Sequence, residues 1–318
     1  MIIIIEEMKI ACVEPLGINQ EKFEELKAHY TGAGHSFVYY MDRKEDNASL
    51  VERMQEAEVV VISNIKLEAA VLEQCPKLRL LSVAFTGLDH IDLEYCKAHQ
   101  IEVVNAAGYS TTAVSELAVG LMIDVLRKVT ELDGTIRRGG GRGSFVGREL
   151  RGKTVGVVGT GAIGTATIRL LKAFGCDVLA YNRSRHPEVE SMGVCYVSLE
   201  ELLRQSDIVT LHVPLNNETK HLIGAEQIAM MKPSAILINT ARGNVADIDA
   251  VADALRTGRL AGAAFDVFEK EPPLAIDHPL LTAPNCVCVP HIGFASHEAF
   301  AIRADIVFGT VDRYIEKH

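Results

Sequence analysis

Three charged side chains in the last third of the chain have the types and settings for acid-base chemistry on an anionic substrate. They are Arg242 in Ile238-Asn239-Thr240-Ala241-Arg242-Gly243, Glu271 in Asp266-Val267-Phe268-Glu269-Lys270-Glu271-Pro272, and His291 in Val289-Pro290-His291-Ile292-Gly293. Each sits at a strand or loop end of the unit that carries it, and open α/β sheets place ligands at such ends. A guanidinium is a permanent cation that clamps a carboxylate, an imidazole gives and takes protons near neutral pH, and a nearby carboxylate stabilises the imidazolium. Singly, each has a plainer role: Arg242 as a cap or surface pair, Glu271 as one of several solvated loop carboxylates, His291 as a structural residue. Together they make a carboxylate clamp, an acid/base and the anion that tunes it.

A second constellation lies upstream. In Thr154-Val155-Gly156-Val157-Val158-Gly159-Thr160-Gly161-Ala162-Ile163-Gly164 an apolar strand enters G-x-G-x-x-G and then a helix whose apolar face is Ile163, Ile168, Leu170 and Leu171. Gly159 permits the tight turn, Gly161 lets backbone approach a pyrophosphate, and Gly164 allows close strand-helix packing. The N–H groups at the helix start face the phosphates. A glycine-rich turn without a ligand is the plain alternative, and the flanking strand and helix make it the poorer one. The next strand, Asp177 to Tyr181, should end at the adenosine ribose, where an NAD site carries an acidic residue. Here that place reads Asn182-Arg183-Ser184-Arg185. No carboxylate repels a 2'-phosphate there and two guanidiniums can bind it, so NADP(H) is favoured and NAD(H) remains possible. The alternative is an exposed basic turn ahead of Pro187. Asn182-Arg183-Ser184 also fits a glycosylation acceptor, which only a secreted chain would use.

Composition excludes several classes. The chain has 318 residues, 48% hydrophobic and 6% aromatic, which suits two domains with aliphatic α/β cores. A net charge of −10 with dispersed cations argues against nucleic acid or an anionic membrane as partner. Seven cysteines, Cys12, Cys75, Cys96, Cys176, Cys195, Cys286 and Cys288, include no C-x-x-C pair and read as reduced, buried thiols in the cytoplasm. Met1 to Ile5 is apolar but short and lacks basic flanks, so it is no signal peptide, and residues 1 to 7 read as an upstream start or an expression scar. No stretch is long enough to span a membrane. Asp89-His90-Ile91-Asp92 resembles metal ligands at a glance and reads instead as a turn with a helix cap at Asp92, so no metal is expected.

The elements that must position these residues alternate almost from end to end. Strands are expected at Lys9 to Val13, Ser36 to Tyr40, Val59 to Ile62, Leu78 to Val83 and Glu102 to Val104, then at Val155, Val178, Ile208 to Val213, Ala235 to Asn239, Gly262 to Phe265 and Val287 to Val289. This is βαβ patterning in two units. Between them a long helix is expected from Thr112 to Arg138, with Val114, Leu117, Leu121, Val125 and Leu132 at helical spacing, ending in the flexible run Gly139 to Gly143. That run is no phosphate loop, since no strand feeds it, and no RNA-binding segment. A last helix, Ala295 to Ile315, follows the completed second sheet and should cross back to the first unit. The domains are therefore expected at 1–107 with 294–318, and at 108–293.

The order of these segments resembles the D-isomer-specific 2-hydroxyacid dehydrogenase family, in particular its glyoxylate and hydroxypyruvate reductases. The likeness covers nearly the whole chain: Pro76 to Asp92 with Phe85-Thr86-Gly87-Leu88-Asp89, Asn105 to Glu116, the glycine fingerprint, Leu211-His212-Val213-Pro214, Asn239 to Asp247, Gly262 to Pro272, and Pro290 to Ser296. It implies two Rossmann-like, doubly wound parallel-sheet domains, the first flavodoxin-like and the second the dinucleotide-binding Rossmann domain, with the active site in the cleft between them. By resemblance Arg242, Glu271 and His291 are the catalytic set, and the spacing from Arg242 selects Glu271 over Glu269. Thr86 and Gly87 would hold the second substrate carboxylate oxygen through backbone N–H groups. Ala162, Ile163, Val213, Pro214, Thr240, Ala241, Asp266 and Gly293 join the fingerprint as cofactor contacts, with Asp266 near the nicotinamide amide. The implied reaction is hydride transfer to a 2-oxo acid, with His291 protonating the developing alkoxide.

Departures from family patterns narrow the substrate. Formate dehydrogenases carry Gln where Glu271 stands. Phosphoglycerate dehydrogenases often carry Arg in the loop that here reads Val61-Ile62-Ser63-Asn64, and often add a domain after the last helix. Phe294, where many members have a small residue, would wall the pocket as in D-lactate-type enzymes. A small 2-oxo acid such as hydroxypyruvate, glyoxylate or pyruvate is expected, with the first two preferred. The alternatives are a D-lactate- or phosphoglycerate-type dehydrogenase using NAD, and a nucleotide-gated corepressor-like binding protein. The long helix Thr112 to Arg138 carries more apolar residues than one sheet face can cover, and related enzymes pair through this part of the nucleotide domain, so a homodimer is expected there.

Overall fold

Short strands of uninterrupted apolar residues, joined by helices with one apolar face, build two parallel sheets. The computed structural model describes residues 7–318, and the Met1 to Ile5 run lies outside them. The chain divides into two compact units, one running up to Ser110 and resuming over Ser296–His318, the other Thr111–Ala295.

In the first unit β1 (Lys9–Cys12), α1 (Gln20–Gly32), β2 (Ser36–Tyr39), α2 (Asn47–Met54), β3 (Val59–Ile62), α3 (Ala69–Leu72), β4 (Leu80–Val83), α4 (Leu93–Ala98) and β5 (Glu102–Asn105) alternate. Their sheet has the order β2-β1-β3-β4-β5, all parallel, which is the flavodoxin-like order. Val59 to Ile62 and Leu80 to Val83 are buried throughout, as expected of strands covered on both faces. Asn19, Asp46 and Asp92 cap α1, α2 and α4 by accepting the N–H groups of Lys22, Ser49 and Tyr95. The Asp92 cap gives that residue a structural role, and among the described residues no group of three or more His, Cys, Asp or Glu side chains could hold a metal ion.

The second unit comprises α5 (Thr111–Arg127), α6 (Val129–Arg137), β6 (Thr154–Val158), α7 (Ala162–Ala173), β7 (Asp177–Tyr181), α8 (Pro187–Ser191), β8 (Cys195–Tyr196), α9 (Leu199–Gln205), β9 (Ile208–Leu211), α10 (Ala225–Met230), β10 (Ile236–Asn239), α11 (Ile248–Arg256), β11 (Gly262–Phe265) and β12 (Cys286–Cys288). Its sheet order is β12-β11-β10-β9-β6-β7-β8, all parallel, with the winding direction reversing between β6 and β9. On α7, Ile168 and Leu171 are fully buried, each contributing about 1.5–3 kcal/mol, while Ile163 and Leu170 are half-buried. The last helix, α12 (His297–Lys317), belongs to the first unit, where the Ser82 hydroxyl donates to the Val307 carbonyl at 3.0 Å.

Three expectations need correction. The single helix from Thr112 to Arg138 is two, broken at Lys128, whose φ is 53°. The apolar spacing runs through the break, and the cause is polar: Asp124 accepts the Thr130 N–H at 2.9 Å and starts a new helix. The edge strand Cys195–Tyr196 was not expected, because two residues show no period. Not every thiol is buried either: Cys195 is exposed, and Cys286 and Cys288 are half-buried with their sulfurs 3.7 Å apart, while all seven remain free.

Candidate active site

Six strands of the second sheet end on the residues that the sequence singles out. Gly159 follows β6, Asn182 follows β7, Val213 and Pro214 follow β9, Thr240, Ala241 and Arg242 follow β10, Asp266 follows β11, and His291 and Gly293 follow β12. In a parallel sheet these ends share one edge, the edge where doubly wound folds bind ligands.

The glycines of the fingerprint have three different reasons. Gly159 has φ 97°, and a Cβ there would lie 2.6 Å from the His212 carbonyl oxygen. A Cβ on Gly164 would lie 2.0 Å from the Gly159 carbonyl oxygen, so the helix could not seat against its turn. Gly161, the N-cap of α7, has nothing within 4 Å of a built Cβ. Packing does not require glycine at Gly161, and the open space faces the start of the helix, where backbone N–H groups attract phosphate. Two buried polar atoms along this edge, Nδ1 of His212 and Oγ1 of Thr240, have no partner within the protein. Both would gain one from a bound polar group, so the residues present fit a dinucleotide. The open backbone at Gly161 with Ala162 and Ile163 would hold the pyrophosphate.

After β7, Asn182 accepts the Thr160 N–H at 3.4 Å and donates to the Ser184 carbonyl at 2.8 Å, which shapes the turn. Arg183 and Arg185 are 81% and 69% exposed and meet Glu218 at 3.3 Å and Glu190 at 3.6 Å. Exposed pairs of this kind hold their partners weakly.

The three candidate catalytic residues stand on three loops. His291 has φ 54°, a left-handed conformation uncommon outside glycine, and it is held by its own N–H donating to the Asp266 carbonyl at 2.8 Å. Asp266, 1% exposed, accepts the N–H of Ile292 at 2.7 Å and of Gly293 at 2.8 Å. Burial pushes the Asp266 carboxyl up to about 6, against the pull of those two N–H groups and of His291. A Cβ on Gly293 would lie 2.8 Å from the Asp266 carboxylate, which accounts for the glycine. His291 Nδ1 stands 2.8 Å from Glu271 Oε1, with the histidine side chain 12% exposed. Phe294 meets the imidazole edge-on, ring centres 5.2 Å apart. Arg242 projects from a loop fixed by Asn239, whose amide donates to the Arg242 carbonyl at 2.9 Å and accepts the Ala241 N–H at 3.0 Å. A Cβ on Gly243 would lie 2.0 Å from the Phe268 carbonyl carbon, so glycine there lets the Arg242 loop lie against the loop that carries Glu271.

Glu269 faces a different histidine, with His278 Nε2 at 3.1 Å from one carboxylate oxygen. His212, Asn239 and His278 were not singled out from the sequence. A signal existed for Asn239, the polar residue that closes the otherwise apolar β10, and for His212, a polar residue directly after β9, and none for His278, whose partner is set by a loop. Thr86 and Gly87 lie in the first unit after β4, where Asn105 donates to the Thr86 carbonyl at 2.6 Å.

A doubly wound parallel sheet that ends in a dinucleotide fingerprint and an Arg-Glu-His set defines a nicotinamide-nucleotide dehydrogenase. Residues 119–293 match the NAD-binding domain of D-isomer specific 2-hydroxyacid dehydrogenases. A glyoxylate reductase of Thermococcus litoralis is 41% identical over 268 residues, covering 81% of this chain and 80% of that protein. A hydroxypyruvate reductase of Blautia hydrogenotrophica is 31% identical over 312 residues, covering 96% and 94%. Among solved structures, an acyclic imino acid reductase in complex with NADPH and D-Arg superposes with a TM-score of 0.87 at 26% identity, covering 98% of each chain. The chain belongs to the D-isomer-specific 2-hydroxyacid dehydrogenase family, NAD(P)-dependent oxidoreductases acting on the CH–OH group of their donors.

Proposed function

We propose that the protein reduces a small 2-oxo acid, with glyoxylate and hydroxypyruvate preferred, to the D-2-hydroxy acid, and that it prefers NADPH to NADH. The observation that carries this reading is the 2.8 Å contact of His291 with Glu271 beside a loop presenting Arg242. The nicotinamide supplies hydride to the substrate carbonyl carbon when bound. Arg242 binds the substrate carboxylate and polarises the ketone. With Nδ1 turned to Glu271, His291 uses Nε2 to give its proton to the developing alkoxide, and Glu271 stabilises the imidazolium before that transfer. Thr86 and Gly87 are assigned to the other carboxylate oxygen on the family resemblance. Asp266, Thr240 and the fingerprint backbone position the cofactor.

The NADPH preference is supported by Arg183 and Arg185, which can exchange weak exposed pairs for a 2'-phosphate at little cost. A cytoplasmic setting is supported by the seven free cysteines, and no helix among the described residues is long and apolar enough to cross a membrane. A homodimer formed through the second unit completes the reading. Steady-state rates with both cofactors against a panel of 2-oxo acids test it. Glyoxylate or hydroxypyruvate with NADPH should give the highest kcat/KM, and Arg183→Ala should weaken NADPH by about 1–3 kcal/mol while sparing NADH. No turnover of any 2-oxo acid overturns the reading, and a higher kcat/KM with NADH overturns the cofactor preference.

A further inference from the structure

The loop that delivers Glu271 is closed by an acid-imidazole pair that takes no part in the proposed reaction. His278 is 7% exposed, and its Nε2 lies 3.1 and 3.2 Å from the two carboxylate oxygens of Glu269. On its other side, Nδ1 accepts the Leu280 N–H at 3.3 Å. A ring nitrogen that accepts carries no hydrogen, so the neutral imidazole has its hydrogen on Nε2 and donates it to Glu269. Phe268 meets the same ring edge-on, centres 5.5 Å apart.

Between the two ends of this bond the chain is held by the Glu271–His291 contact and not by the core. No residue from Glu269 to Asp277 is buried, and Ile276 is 92% exposed. A loop without a buried side chain samples many conformations, and cross-linking its ends removes most of them. Glu271 sits inside this closed segment, two residues from Glu269. We infer that the Glu269–His278 pair is a clasp that holds the Glu271 carboxylate on His291, which makes His278 and Glu269 positioning residues. The inference rests on the reading of Glu271 and His291 as the pair that delivers the proton. Because the donor is a neutral N–H, the clasp requires an acceptor at position 269 and no charge, so an amide oxygen serves as well as a carboxylate.

The test compares Glu269→Ala with Glu269→Gln, and both with Glu271→Gln, in the full chain. The first reading is the titration of His291 followed by NMR of histidine-labelled protein, which needs no substrate. The carboxylates that face His291 are Glu271 and Asp266, and the clasp acts through the first. Glu269→Ala should move the His291 midpoint to lower pH by about half a unit or more, toward that of Glu271→Gln. Glu269→Gln should restore the parental midpoint. In kinetics, Glu269→Ala should lower kcat by about three- to tenfold with KM for the cofactor unchanged, and the alkaline fall of the reduction rate should move with the His291 midpoint. His278→Ala should reproduce these effects if it folds, and the exposed Glu269 variants carry the test if it does not. A parental midpoint in Glu269→Ala, or a Glu269→Gln variant displaced as far as Glu269→Ala, overturns the clasp. A parent that turns over no 2-oxo acid overturns the proposed function, while the titration still decides the clasp.

Discussion

In the proposed reaction His291 is the residue on which most of the chemistry depends, and its surroundings separate the roles assigned to its neighbours. His291→Gln should lower kcat for reduction by about a hundredfold or more while dinucleotide binding stays within a few-fold, because general acid catalysis is worth about that much. Glu271→Gln keeps the imidazole but removes the anion 2.8 Å from it, so the reduction rate should fall at lower pH than in the parent, with acidic activity partly kept. Arg242→Ala should damage KM and kcat together, since it removes both carboxylate binding and ketone polarisation. A pH–rate profile unmoved by Glu271→Gln would refute that role. Asp266 makes a separate prediction. Its folded carboxyl is raised from 3.8 to about 6, first by burial, so the folded state holds that proton more tightly than the unfolded chain. The resulting stabilisation is full below the unfolded value and is lost as pH rises through about 6, a change of roughly 3 kcal/mol. Asp266→Asn has no such proton, so the unfolding free energy of the parent minus that of the variant should shrink by about this amount between about pH 3 and pH 7. A flat difference would show that Asp266 does not titrate there. Arg242 and His291 were legible as candidates because each stands just past an apolar strand, whereas choosing Glu271 over Glu269 needed the family spacing. The reason for Gly293 was not legible, because its demand comes from the Asp266 carboxylate 27 residues earlier in the chain.

At the scale of elements, the fingerprint offers a contrast between two glycines three residues apart. Gly164→Ala would drive a methyl into the Gly159 carbonyl, 2.0 Å away, and should destabilise the second unit by about 1–3 kcal/mol or more. Gly161→Ala meets nothing within 4 Å and has φ −66°, so it should cost no more than about 1 kcal/mol as an altered N-cap. Its effect should instead fall on dinucleotide affinity, by about tenfold or more, because the methyl occupies the approach to the pyrophosphate. Thermal melts and binding titrations of the two variants check this, and a Gly161→Ala enzyme with parental affinity would place the phosphates elsewhere. The strand pattern was readable at this scale because parallel strands are apolar throughout, as in Val59 to Ile62. The break at Lys128 was not, since Asp124 and Thr130 make it without disturbing the apolar spacing, and neither was the two-residue strand Cys195–Tyr196.

At the scale of the molecule, α6 is a helix that leaves much of its apolar surface exposed. None of its residues is buried, yet Val129 and Ile136, seven apart and so on one face, are 55% and 63% exposed, and Val146 just beyond is 79% exposed. An amphipathic helix stabilises a fold by burying such a face, and a second copy related by a two-fold axis would bury it in both chains at once. Stable interfaces remove about 800 Å² from each partner, more than three side chains supply, so the segment from α6 to Val146 should take part as a whole. Light scattering at micromolar concentration should give twice the chain mass. Because each substitution enters a two-fold interface twice, Val129→Asp with Ile136→Asp should shift the protein to monomer at the same concentration while cofactor binding to the second unit survives. A monomeric parent, or a double variant that remains dimeric, would mean that this face serves another purpose. Sequence periodicity could show that the face is apolar, but not that a helix break turns it away from the core, which only the fold reveals.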